Sequence, residues 1–109
     1  MKFETQYKYR AIVTKIVDGD TFDASVDLGY RMAAMIRFRV KGFDAPESYR
    51  PQDGEELVRG RAAKNAAALL LQNQEVLIQS YKEGVYNRWE ATVTLPDGRD
   101  FATTMLELS

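Results

Sequence analysis

Two stretches of strict alternation meet at a tight turn, and they limit what this chain can become. Phe22, Ala24, Val26 and Leu28 alternate with Thr21, Asp23, Ser25 and Asp27; beyond Leu28-Gly29-Tyr30-Arg31, Ala34, Ile36, Phe38 and Val40 alternate with Met35, Arg37, Arg39 and Lys41. Successive strand side chains point to opposite faces, so each arm has one apolar face, and the second arm gathers its basic side chains on the other. A lone hairpin is marginal in water, so the apolar face must be covered by more of the chain.

The remaining sequence supplies that cover. Residues 7–17, rich in aromatic and β-branched types, read as a strand, and Asp18-Gly19-Asp20 as the turn after it. Asp53 stands three residues before Glu56 at the start of a helix over 54–72, with Leu57, Val58, Ala62, Ala66, Leu69 and Leu70 as its expected apolar face. Gly60 within it is expected to allow close backbone approach to the sheet. Strands follow at 74–81 and 88–95, a brief pairing is expected at 99–102, and "TTMLELS" reads as a helix just beginning. Three strands, a helix and two strands predict a mainly β, α+β fold: a five-stranded Greek-key barrel of the OB type, its helix between strands three and four. Residues 1–109 are enough for one such domain.

The chain has no cysteine and no histidine. Thiolate metal sites, disulfides and histidine general bases are therefore excluded, and any metal must be held by oxygen, as Ca²⁺ or Mg²⁺ are. Net charge is −1, against non-specific nucleic-acid binding of the strongly basic kind, yet residues 31–64 carry eight basic and five acidic groups. That is a local anion site on a near-neutral protein. No apolar run is long enough to span a bilayer and MKFETQYKYR has no signal-like stretch, so a cytoplasmic location is expected.

The segment "RFRVKGFDAPES", 37–48, puts Arg39, Asp44 and Glu47 within nine residues of one another at a strand end. Singly, each has an ordinary explanation: Arg39 as a surface ion-pair partner, Asp44 and Asp20 as turn residues, Arg88 stacked beside Trp89. Together, "IVDGDTF", "RFRVKGFDAPE", a helix and "VYNRWEATV" resemble the staphylococcal (micrococcal, thermonuclease-type) nuclease family from about Ile12 to Phe101. The resemblance implies an OB-fold barrel that hydrolyses DNA and RNA with Ca²⁺ and leaves 3′-phosphate ends. It implies metal ligation by Asp20, Asp44 and the Ala45 carbonyl, phosphate binding and catalysis by Arg39 and Arg88, and a catalytic Glu47 that either deprotonates or organises the attacking water.

The chain departs from the family's pattern in places. Ala45 stands where threonine is common; the hairpin between Asp20 and Arg39 is longer, which is expected to alter the rim of the site; Val85 replaces a phosphate-binding lysine, with Tyr86 following as a substrate-binding residue. The family's C-terminal helices would lie beyond Ser109. Met105, Leu106 and Leu108 therefore form an apolar end that a second copy could bury, as a homodimer, and substrate binding is expected to be weaker. Two other functions compete with a nuclease: a non-catalytic OB-fold module that binds nucleic acid or protein, and a structural domain in which Asp20, Arg39, Asp44, Glu47 and Arg88 only form ion pairs.

Overall fold

The structure, a computed structural model, describes residues 7–45, 54–83 and 89–108, without the side chains of 55, 56 and 81–83. Five strands, β1 (Lys8–Asp18), β2 (Thr21–Gly29), β3 (Met32–Val40), β4 (Glu75–Glu83) and β5 (Trp89–Thr94), close into a barrel in the order β1-β2-β3-β5-β4. Helix α1 (Gly54–Leu71) lies between β3 and β4, and α2 (Phe101–Leu108) follows β5. All strand pairs are antiparallel except β3 with β5, as the OB topology requires. No helix among the described residues is long and apolar enough to cross a membrane.

The alternating positions fill the barrel. Phe22, Ala24 and Val26 of β2 and Phe38 and Val40 of β3 are buried, and the Phe22 and Phe38 rings lie 5.7 Å apart. β1 is long enough to pair with β4 through 8–12 and with β2 through 11–18, and its register slips between Val13 and Lys15. Such bulges bend a strand, and this one lets β1 pass from one side of the barrel to the other.

Several expectations need correction. The buried face of α1 runs through Gly60, Ala67 and Leu71, with Ala63, Ala66 and Leu70 partly buried; Val58 and Leu69 are exposed. Alanines occur on every side of this helix, so its apolar pattern fixed the wrong phase. α2 starts at Phe101 rather than within 103–109, leaving only an isolated bridge between Thr94 and Asp100. Asp100 caps it, its Oδ2 accepting from both the N–H and the hydroxyl of Thr103 at 2.9 Å. Met105 belongs to the core, so only Leu106 and Leu108 of the expected apolar end are exposed. The longer β2–β3 hairpin does not border the Asp20–Arg39 end. Thr21 pairs with Arg39 and Gly29 with Met32, so the added length projects from the opposite end of the two strands. The expected cap Asp53 lies outside the described residues.

Gly19 fixes how closely the helix approaches the barrel. A Cβ there would fall 2.8 Å from Ala63 Cβ on α1 and 2.9 Å from Ala45 Cβ, well inside the 3.5–4.0 Å at which carbons pack. Gly19→Ala must push α1 or the 43–45 segment outward, at a cost of about 1–3 kcal/mol as for other overpacked sites. A lowered urea midpoint is the expected result.

Candidate functional site

The site forms where the β1–β2 turn, the end of β3 and the segment after it converge. Asp18 pairs with Thr21, so Gly19 and Asp20 make a two-residue turn. The Val40 N–H donates to the Asp20 carbonyl at 2.8 Å, tying that turn to β3. Beyond Val40 the chain swings round at Gly42, whose φ of 95° suits a residue without a Cβ, and Phe43 is buried. Asp44 and Ala45 are thereby turned back over Asp20.

The Asp20 carboxylate is buried and fully engaged. Its Oδ1 accepts from the Thr21 hydroxyl at 3.0 Å and its Oδ2 from the Ala45 N–H at 3.2 Å, while Arg39 Nη2 lies 3.8 Å from Oδ2. Arg39, on the outward face of β3, is half-buried, and the same Nη2 also contacts Asp44 Oδ1 directly. The two carboxylates differ in freedom: the side chain of Asp44 is 84% exposed and that of Asp20 only 12%. One guanidinium nitrogen is therefore shared by a fixed carboxylate and a releasable one. A cavity of about 460 Å³ opens beside Asp44 between the two helices, lined by Phe43, Arg59, Ala63 and Met105 among others.

Of the residues singled out from sequence, Asp20, Arg39, Asp44 and Ala45 are brought together, while Glu47, Tyr86 and Arg88 lie outside the described residues. Thr21 and Gly19 were missed. Thr21 is buried, faces Arg39 in the β2–β3 register and donates to Asp20. Their only signal is that both sit inside the quoted DGDT turn.

The difference between the carboxylates is measurable as stability. Asp20→Ala leaves the Thr21 hydroxyl and Ala45 N–H without an acceptor and should cost about 1–3 kcal/mol. Asp44→Ala removes an exposed side chain and should stay within about 0.5 kcal/mol of wild type. Chemical denaturation of both variants checks the contrast; equal losses would place the Asp20 contacts outside the folding energetics.

The family model described as staphylococcal nuclease homologue matches residues 37–108. That span contains Arg39 and Asp44 as well as positions 47, 86 and 88. Asp20 precedes it and joins the site through the barrel, by its bonds to Val40 and Ala45. No curated protein matches the chain. With the greater part of its length matched and a closed five-stranded barrel carrying the matched residues, the chain belongs to the staphylococcal nuclease homologue family.

Proposed function

We propose that this protein is a Ca²⁺-dependent, sugar-nonspecific nuclease that hydrolyses DNA and RNA and leaves 3′-phosphate ends. One observation carries the proposal: within this family's barrel, a guanidinium points outward between a buried and an exposed carboxylate. The donor set suits a hard cation, being all oxygen in a chain without histidine or cysteine. Asp20, Asp44 and the Ala45 carbonyl would hold it. With two carboxylates and one carbonyl as protein ligands, a Kd in the ~10⁻⁴–10⁻³ M class is expected. When bound, Ca²⁺ supplies neutralisation of the phosphate charge that otherwise repels a nucleophile.

The side chains of the protein do the rest. Arg39 trades its carboxylate partners for two phosphate oxygens, which its planar fork matches and an ammonium would not. The exposure of Asp44 makes that exchange cheap, while buried Asp20 keeps the site's position. Glu47 orients the attacking water or takes its proton. Arg88 stabilises the phosphate as it gains a fifth oxygen; a guanidinium holds its proton too firmly to be a good proton donor. A non-catalytic role, as binding module or structural domain, is favoured by one fact, that Arg39 already has both carboxylates as partners and so forms a satisfied ionic cluster.

Incubating plasmid and single-stranded DNA with Ca²⁺, Mg²⁺ or EDTA separates the two. Cleavage is expected with Ca²⁺, less with Mg²⁺ and none with EDTA, and Glu47→Gln should fold normally but turn over far more slowly. DNA retention without cleavage in any metal would favour the module. Undiminished cleavage after exhaustive metal removal would defeat the Ca²⁺ assignment.

Arg39→Lys should lower kcat by about 10² or more, taking the ~2.7–4 kcal/mol typical of one lost transition-state donor. Equal kcat in the two proteins would show that Arg39 is not a two-point phosphate ligand. Sedimentation at two concentrations reads whether exposed Leu106 and Leu108 support the proposed homodimer.

A further inference from the structure

We propose that β3 carries a docking edge for a second copy of this chain, centred on Ala34 and distinct from the C-terminal end. β3 lies beside β2 along its whole length, but it pairs with β5 only through Phe38, Arg39 and Val40. Among the described residues nothing pairs with the other edge of 32–37. The Val40 N–H donates to the Asp20 carbonyl on the β2 side, and the Lys41 N–H to the Ala91 carbonyl on β5. Successive N–H groups of a strand point to opposite sides, and the β2–β3 register is unbroken from Thr21–Arg39 to Asp27–Ala33. The N–H and C=O groups of Ala33, Met35 and Arg37 therefore face the open side. Such edges are commonly blunted by charged side chains or proline. Residues 32–36, Met-Ala-Ala-Met-Ile, have neither. They leave Met32 and Met35 exposed, and a hollow of about 260 Å³ opens in the gap, lined by Ala34 and Ile36 on one side and Ser80 and Trp89 on the other.

The edge is complementary to itself. Antiparallel pairing about a twofold axis at Ala34 sets residue 33 against 35, 34 against 34 and 32 against 36. Ala33 and Met35 then exchange hydrogen bonds with Met35 and Ala33 of the other copy, so the open N–H and C=O groups of both are used. Ala34 meets Ala34 at a non-hydrogen-bonded position, where Cα atoms come within about 4.5 Å and small side chains fit best. Met35 stands beside Ala33 and Ile36 beside Met32, large against small or flexible. No charged side chain lies within this ladder. Just beyond it Arg31 of one copy approaches Arg37 of the other, whose charge is met by Asp23 at 2.7 and 3.1 Å. The pairing stops short of Phe38, so Trp89 keeps its place beside β3. It joins the two hairpins into one continuous sheet, β2-β3-β3-β2, and covers the hollow with apolar side chains of the second copy. Both outward faces stay on one side of that sheet. The two Arg39 side chains then open the same way, about 33 Å apart at about 3.3 Å per residue.

Sedimentation across a range of protein concentrations, with amide exchange read at single residues, tests the docking edge without DNA or Ca²⁺ and so independently of any nuclease activity. Wild type should dimerise as concentration rises. The Ala33 and Met35 amides should then exchange at least about tenfold more slowly, whereas that of Ala34, which points to β2 in either state, should not respond. Met35→Lys changes an exposed side chain and puts a charge on each strand of the ladder; it should stay folded and sediment as a monomer. Arg31→Glu, which sets an acid beside Arg37 of the other copy, should tighten the dimer. Leu106→Ser/Leu108→Ser should leave it unchanged. A chain that stays monomeric at every concentration overturns the docking edge, as does a dimer whose Ala33 and Met35 amides exchange as in the monomer. A dimer that Met35→Lys leaves intact also overturns it, and if the leucine variant abolishes that dimer the contact belongs to the C-terminal end.

Discussion

A carboxylate taken out of water must be given hydrogen bonds and an opposite charge, and the site grows from that need at Asp20. Each of its partners comes from a different piece of chain: Thr21 from β2, Ala45 from the segment after β3, Arg39 from β3 itself. Satisfying one buried group thus fixes the relative positions of three elements. Among the described residues no buried side-chain nitrogen or oxygen lacks a partner. The arrangement also leaves Arg39 at the surface with a second, exposed carboxylate in reach, as the proposed exchange for a phosphate requires.

The barrel and helix α1 make this convergence possible. Two-residue closure at Gly19-Asp20 keeps the buried carboxylate at the strand end, and the missing Cβ of Gly19 lets Ala63 of α1 and Ala45 close in on it. A bulged β1 completes the barrel beneath. The hairpin arm of β2 and β3 carries Arg39 at the Asp20 end and has its Tyr30-Arg31 turn at the other.

Much of this was legible in the residues because strand pleating is strictly two-fold. Phe22 to Val26 and Phe38 to Val40 could face only one way, and the basic positions of β3 then had to face the other. Arg39 and Asp44 stood out by residue type at one strand end, whereas Asp20 entered through the family resemblance, and the register that sets Thr21 opposite Arg39 brings the three together. The face of α1 was not legible, because five alanines between 62 and 68 give it no distinct apolar stripe. Gly19 could be read as a turn residue but not as a contact with Ala63, since that pairing depends on where a distant helix docks. Leu28 continues the alternation of β2 yet lies exposed, for the strand outruns the barrel and periodicity does not say where the barrel ends.

Arg39 neutralises a pair of carboxylates whose proposed client is a cation, while its own proposed client is a phosphate. Calorimetric titration of Ca²⁺ into wild type and Arg39→Ala, without nucleic acid, tests it most directly. Removing a positive charge about 4 Å from Asp20 is worth at least ~1 kcal/mol even at the dielectric of water and more where the site is partly buried. The account predicts that Arg39→Ala binds Ca²⁺ about tenfold more tightly than wild type. Unchanged or weaker Ca²⁺ binding by a folded Arg39→Ala protein would contradict it.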